Sequence, residues 1–376
     1  MNKELGIYVH VPFCIRKCAY CDFYSGPYDE EKGARYFDAL LSEIREAPGR
    51  FRTEGYTVNT VYIGGGTPSA VPPAYVAAVL GRLRDCFSFA ADTEISMEAN
   101  PGTLTQEKLR CYREAGVNRL SIGLQSTEDR LLKTLGRIHD FAAFMQSFDL
   151  AREAGFQNIN VDLISGIPGQ RLKDWENSLV SIAELEPEHL SAYSLIIEEG
   201  TPFYALYGEQ GSLRSALPSE EEERAMYRRT EEILDSYGYS RYEISNYAKK
   251  GYECRHNLGT WSLSSYLGFG AAAASFFENR RLKNAESLIY RDFPQTVEEI
   301  LTPEEEQKEY MLLGLRKTAG VDDGAFQERF GASLFSCFEK EIGELTHEGL
   351  LQAAGTRVFL TKRGLDLANQ VFFRFV

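Results

Sequence analysis

No stretch of this chain reaches the run of about 18 uninterrupted apolar residues that a membrane helix requires, so no membrane-spanning segment is expected. The opening residues, Met1 to Pro12, show neither the long apolar core nor the small-residue cleavage site of a secretory leader. Positive charge is also short: 41 Lys and Arg stand against 55 Asp and Glu, a formal net charge of −14. Phosphate binding needs a basic face, so no nucleic-acid partner is expected. Cysteine is sparse, and the 7 present in a chain without a leader point to a reducing compartment, with the cytoplasm as the expected location. Internal repeats and low-complexity segments are absent too. The acidic runs Glu220–Glu223 and Glu304–Glu306 read as solvated helix starts favoured by the helix dipole.

What is present is an ordinary globular composition, 43% hydrophobic and 26% charged over 376 residues, enough for a large domain and a smaller one. From Leu5 to about Ser194, short β-branched runs alternate with segments of helical period, as parallel strands joined by crossover helices require. The strands are expected at Gly6–Val11, Thr60–Gly64, Glu94–Glu98, Arg119–Gly123, Ile159–Ile164 and His189–Ser194. Six such units are too few to close an eight-stranded barrel, so the fold class is α/β with an incomplete (β/α)6 barrel over residues 1–200. Its chemistry should gather at the carboxyl ends of the strands. Residues 201–300 read as further α/β elements extending the barrel, with a Gly-rich stretch at 200–212, a helix near Ser219–Tyr237 and an edge strand in Tyr239–Tyr247. Residues 301–376 read as a small, mostly helical, winged-helix-like domain, with helices at Pro303–Thr318, Asp322–Phe330 and Leu334–Glu348 and a strand at Arg357–Thr361.

The strongest local signal is Cys14-Ile-Arg-Lys-Cys18-Ala-Tyr-Cys21, directly after the first strand. Three thiolates from one loop can ligate a [4Fe–4S] cube and leave its fourth iron open to a substrate. A structural zinc site would want a second Cys-x2-Cys pair or a nearby His, and neither follows. Cys86, Cys111, Cys254 and Cys337 are scattered and read as packing residues. Gly64-Gly65-Gly66-Thr67-Pro68 ends the second strand and so faces the same barrel mouth. Its glycines would let the backbone approach a ligand and offer N–H and C=O groups to a charged amino-acid moiety; a plain loop is the alternative.

Together these two loops resemble the radical SAM superfamily, in which a Cys-x3-Cys-x2-Cys motif and a glycine-rich second loop hold a [4Fe–4S] cluster and S-adenosylmethionine. The resemblance implies that the open iron chelates the methionyl amino and carboxylate groups, and that electron transfer to the sulfonium can give a 5′-deoxyadenosyl radical. Within the superfamily the chain is similar to the HemN and HemW branch over nearly its whole length. The matching segments are Tyr8-Val-His-Val-Pro-Phe-Cys, Glu98-Ala-Asn-Pro, Arg119-Leu-Ser-Ile-Gly-Leu-Gln125, Leu135-Gly-Arg137, Asp162-Leu-Ile-Ser-Gly-Ile-Pro-Gly169 and Tyr242-Glu-Ile-Ser-Asn246. By that resemblance Tyr8, Gly65, Gly66, Thr67, Glu98, Gln125, Arg137 and Asp162 would line the S-adenosylmethionine pocket, with Tyr20 flanking the cluster. Glu98, Gln125 and Asp162 are also expected at the ends of strands, where a barrel sets its ligand-binding groups.

The branch is narrowed by what the motif lacks. HemN-type decarboxylases continue with a fourth cysteine where this chain has Asp22-Phe23, and they carry an extension before the cluster loop. The resemblance is therefore better to HemW-type haem chaperones. Arg255-His256-Asn257-Leu258-Gly259-Thr260-Trp261 resembles their His-Asn-x-x-Tyr-Trp haem motif, with Thr260 in place of the tyrosine, and Ala274 stands where related chains often have histidine. His256 would then be the axial ligand, a structural histidine being the alternative. The implied partners are haem, an acceptor protein and an electron donor such as flavodoxin or ferredoxin. A coproporphyrinogen III dehydrogenase and a radical enzyme on another substrate are the alternatives, and the sequence leaves open whether the chain is an enzyme at all.

Overall fold

The structure, a computed structural model, describes residues 3–376. Six parallel strands form its centre: β1 (Lys3–Val11), β2 (Tyr56–Gly65), β3 (Phe89–Ala99), β4 (Arg119–Gln125), β5 (Ile159–Ser165) and β6 (His189–Ser194), neighbours in that order. The crossovers carry α1 (Glu30–Phe51), α2 (Pro73–Cys86), α3 (Gln106–Ala115), α4 (Phe141–Glu153) and α5 (Leu172–Ala183). Each expected strand and crossover helix is found, with ends moved by a few residues. The helix starts follow from side-chain caps: Asp29 accepts from the Lys32 N–H, Thr105 from Lys108 and Asp140 from Ala143.

Alternation along the strands gives the sheet two unlike faces. Ile7, Val9 and Val11, Val61 and Ile63, Leu120, Ile122 and Leu124, and Val161 and Leu163 are buried in one core against the helices. The in-between positions, Tyr8, Tyr62, Ser96 and Arg119, are paired across β1–β4, and Glu98, Ser121 and Asn160 across β3–β5. The inner face of the barrel is therefore polar, and its outer face supplies the hydrophobic core.

The sheet departs from the sequence reading at its flanks. Tyr266–Phe269, here β7, runs parallel to β1 on its free side, so seven parallel strands replace the expected six. Its four residues, Tyr-Leu-Gly-Phe, are too short and Gly-interrupted to show a strand period. Ala274–Phe277, Arg280–Lys283 and Thr296–Ile300 continue the sheet antiparallel beyond β7, while Asn246–Ala248 and Ser240–Arg241 close the other edge as the expected aromatic edge strand, in two pieces. The Gly-rich stretch contains a short helix, Pro202–Tyr207, capped by Thr201. Helix α6 (Glu220–Ser236) packs on α5, and α7 (Arg255–Trp261) precedes β7.

In the C-terminal part, the expected helix Leu334–Glu348 is broken into Leu334–Cys337 and Glu339–His347. The break is at Phe338, which leaves helical geometry to put its ring against Phe326 and Phe375 in the second core. A three-stranded sheet, Val321–Asp322, Arg357–Leu360 and Leu351–Ala354, completes this part. Among the described residues no helix is long and apolar enough to cross a membrane.

Candidate functional site

The loop leaving β1 carries Cys14, buried, and Cys18 and Cys21, partly exposed, all as free thiols. It is tied to the rest of the barrel mouth by backbone and side-chain bonds. The Ala19 N–H donates to Leu135 O at 3.2 Å, Arg16 Nη2 to Gly136 O at 2.7 Å, and the Phe203 N–H to Ala19 O at 3.0 Å. Tyr20 rests edge-on against Phe203. Among the described residues no three His, Cys, Asp or Glu side chains close on a point that a single metal ion could fill.

Two of the three sulfurs have a side-chain donor beside them. Thr67 Oγ1 donates to Cys14 Sγ at 3.5 Å and Arg137 Nη1 to Cys18 Sγ at 3.4 Å. The Cys21 thiol is pushed up to about 11 by burial, with the Phe23 backbone N–H acting in the opposite direction. Arg137 also reaches Asn100 Oδ1 at 2.7 Å and the Gly123 carbonyl, while its buried Nε has no partner. Asn100, in the segment Glu98-Ala-Asn-Pro, passes the link on by donating from Nδ2 to Thr67 Oγ1 at 2.8 Å. Asn100 is a site residue beyond those expected from the sequence; its place two residues after Glu98 in the same segment is the one local signal for it. A shallow pocket open to solvent lies here, lined by Ile15, Cys18, Thr67, Asn100, Arg137 and His139 among others.

The glycine run behaves differently from the expectation. The Gly65 N–H donates to Glu98 Oε2 at 3.0 Å, Gly66 N–H to Val11 O at 2.9 Å and Thr67 N–H to Phe13 O at 2.7 Å. These N–H groups are therefore used inside the protein and are not offered to a ligand. What the glycines supply is closeness: a Cβ on Gly66 would lie 2.7 Å from Phe13 O, and Gly65, at φ +107°, would drive one into the His10 ring. His10 itself links the two loops. Its Nε2 donates to Tyr24 O at 2.8 Å, so Nδ1 is the acceptor for the Tyr8 hydroxyl at 3.0 Å.

Glu98 projects from the end of β3, with Tyr62 Oη donating to Oε1 at 3.1 Å. Burial, and then the charge of Asp162, push its carboxyl up to about 7. Gln125 ends β4 with φ +78°, where a register shift against β5 marks a bulge that re-aims its side chain toward Gly123. Asp162 is a correction of position: it lies three residues inside the end of β5 instead of at it, near enough to Glu98 for its charge to be felt there, and accepts from Asn160 Nδ2 at 2.8 Å and Ser121 Oγ at 3.2 Å. Burial raises its pKa too. From there a chain runs down the barrel, His189 Nδ1 to Asn160 Oδ1 at 2.6 Å and Tyr242 Oη to His189 Nε2 at 2.8 Å.

His256 is not at the mouth. Helix α7 sits at the amino ends of the strands, where the Glu94 carboxylate accepts from the Arg255 N–H at 3.0 Å and the His256 N–H at 3.2 Å. Cys254, the N-cap residue of α7, makes no side-chain cap bond, so a glutamate from β3 performs the capping. The His256 ring stacks on Tyr62 at 5.3 Å, bonds through Nδ1 to Thr60 Oγ1 at 3.0 Å, and makes no hydrogen bond through Nε2 to the described residues. Burial pulls its pKa down to about 4, which keeps the ring neutral and able to ligate. A shallow pocket open to solvent adjoins it, lined by Thr60, Arg255, Gly259, Thr260 and Tyr266 among others. Of the nearby aromatics, Tyr239 and Tyr247 are core residues, and Trp261 is covered by the Arg316 guanidinium at 4.4 Å.

Comparison with known proteins gives a consistent result. Residues 8–182 match the radical SAM superfamily and residues 301–367 the HemN C-terminal domain. The chain is 39% identical to the heme chaperone HemW of Bacillus subtilis, with 98% of each chain covered. It is 33% identical to that of Lactococcus lactis over 100% of this chain and 98% of the relative, and 37% identical to that of Escherichia coli over 77% and 76%. Among solved structures, coproporphyrinogen III oxidase (HemN) from Escherichia coli, described as a radical SAM enzyme, superposes with a TM-score of 0.84 at 24% identity, covering 100% of this chain and 90% of the other.

Proposed function

Because this chain belongs to the HemW family of the radical SAM superfamily, we propose that it is a haem chaperone that carries a [4Fe–4S] cluster and S-adenosylmethionine at the barrel mouth and passes haem to an acceptor protein in the cytoplasm. The observation that carries the cofactor reading is the set of three free thiols in one loop, with side-chain donors on the sulfurs of Cys14 and Cys18. Their Cys-x3-Cys-x2-Cys spacing within one loop, in a chain whose residues 8–182 match the radical SAM superfamily, supports a [4Fe–4S] cube with one iron left open. Cys14, Cys18 and Cys21 would hold the cluster, which together with S-adenosylmethionine supplies one-electron chemistry at a sulfonium.

The residues at the mouth fit that second cofactor by charge. Glu98 and Asp162 are hydrogen-bonded by neutral donors, and burial raises both pKa values, with Arg119 acting on Asp162 only through its charge and not through an ion pair. A ligand bearing a sulfonium brings positive charge to these carboxylates, while Arg137 Nε, unpartnered among the described residues, offers a donor to its carboxylate. Tyr8, Tyr20, Gly65, Gly66, Thr67 and Gln125 shape the walls. His256, neutral and with Nε2 unbonded, would be the axial ligand of haem.

Titration of the purified protein with haem, followed by absorbance, tests this reading on wild type and on His256→Ala. Wild type should show a Soret shift, and the variant should lose at least tenfold in affinity, about 1.4 kcal/mol. No Soret shift in wild type ends the chaperone reading. Formation of a decarboxylated product from coproporphyrinogen III would favour the dehydrogenase instead.

A further inference from the structure

Two of the sulfurs in the cysteine loop are joined by one continuous hydrogen-bond path through side chains of three other loops. Thr67 donates its only O–H to Cys14 Sγ and therefore receives the Asn100 Nδ2–H as an acceptor. Asn100 turns its Oδ1 to Arg137 Nη2, and Arg137 Nη1 reaches Cys18 Sγ. Only one orientation of the Asn100 amide satisfies both neighbours, since a flip would set Nδ2 against a guanidinium and Oδ1 against a hydroxyl whose proton is already given to sulfur.

The Asn100 backbone is clamped as well. Its N–H donates to Ser69 Oγ at 3.2 Å, and its carbonyl accepts from Thr103 Oγ1 at 2.7 Å, with Ser69 and Thr103 bonded to each other. The amide is thus held from both sides before any cofactor binds.

We propose that Asn100 is a positioning residue that fixes Thr67 and Arg137 as donors to the Cys14 and Cys18 sulfurs, and thereby sets the reduction potential of the cluster. This rests on the cluster assignment above and goes beyond it. A donor aimed at a ligating sulfur stabilises negative charge there, and reduction adds one electron to the cluster. Holding both donors in place therefore favours the reduced form and raises the potential. Without Asn100, the Thr67 hydroxyl loses the neighbour that fixes its rotor and Arg137 Nη2 keeps the Gly123 carbonyl alone, so neither donor is held on its sulfur by the relay.

The experiment is a redox titration of the reconstituted protein, followed by electron paramagnetic resonance, with iron and sulfide content measured on each sample. Asn100→Leu removes the relay at similar size, Thr67→Val removes the donor, and Thr67→Ser keeps it. Asn100→Leu and Thr67→Val should each shift the reduced-to-oxidised ratio at fixed potential about tenfold toward oxidised, about 59 mV for one electron. Thr67→Ser should match wild type. The double variant Asn100→Leu with Thr67→Val should fall short of the sum of the two, because both act on one path.

Full cluster content at the wild-type potential in Asn100→Leu overturns the proposal and leaves the cluster assignment standing. Should Asn100→Leu fail to assemble a cluster, equal potentials in Thr67→Val and Thr67→Ser overturn it instead. A wild-type protein that takes up no cluster removes the assignment itself, and this proposal with it.

Discussion

The two ends of the barrel are built on the same six strands, yet they use their polar groups in opposite ways. At the amino end, Glu94 is saturated: it accepts from two backbone N–H groups of α7, from the Cys254 thiol at 3.6 Å and from Ser96 Oγ at 3.4 Å. His189, Asn160 and Tyr242 likewise satisfy one another. At the carboxyl end, carboxylates have neutral donors only, a buried guanidinium nitrogen has no partner, and three thiols remain free. Between the ends, Arg119 is buried and bonded to Ser96 Oγ at 3.5 Å, so its charge is felt by Glu94 and Asp162 without an ion pair to either. Among the described residues the amino end satisfies most of its polar groups from within the protein, with His256 Nε2 and Arg119 Nε as the exceptions, whereas the carboxyl end leaves its carboxylates, thiols and Arg137 Nε for something the protein does not supply.

The sharpest way to break this comparison is to remove a thiol. Cys14→Ala, Cys18→Ala or Cys21→Ala should abolish cluster assembly, read as loss of bound iron and of visible absorbance. The fold should survive with nearly unchanged urea unfolding, because none of the three side chains belongs to the main cores. A variant that still bound iron at the wild-type amount would move the cluster elsewhere.

The second test reverses the roles. Glu94→Ala leaves the first N–H groups of α7 uncapped and Arg119 without its nearest compensating charge. It should lower stability by about 3 kcal/mol in urea unfolding while cluster content stays at the wild-type level. Equal loss of iron in Glu94→Ala and Cys14→Ala would mean that the two ends are not separable.

The contrast also explains what the sequence made legible. Strands with β-branched periodicity and helices with Asp or Thr caps declare themselves locally, so β1–β6 and α1–α5 were readable from pattern alone. The cysteine loop was readable because its ligand spacing lies within eight residues. What escaped depends on contacts between distant segments. β7 becomes a strand because β1 has a free edge, and Phe338 breaks a helix because two phenylalanines wait for it. The spent N–H groups of the glycine run, the depth of Asp162 and the relay at Asn100 all rest on partners tens of residues away. His256 was legible as a motif residue, but its end of the barrel was not, since α7 is held there by a glutamate 162 positions earlier in the chain.

The smallest expected effect is a pH dependence confined to the carboxyl end. Glu98 has its folded pKa raised from the ordinary 4.5 to about 7, by burial first and by Asp162 second. In the unliganded protein the folded state therefore holds a proton that the unfolded state has already released. Stability from this group falls as pH rises from 4.5 toward 7 and is level above that. A cationic ligand reverses the preference, because it binds the ionised carboxylate and must expel the proton at lower pH. Affinity for S-adenosylmethionine should thus rise about tenfold from pH 6 to pH 8, most of it gained below 7.5, about 1.4 kcal/mol in all. Glu98→Gln should bind more weakly at pH 8 and show a flat profile, measured by calorimetry across the same range. His256 at the other end, with its pKa pulled down to about 4, contributes no slope in that window, so a profile that persisted in Glu98→Gln would have to come from a group other than these two.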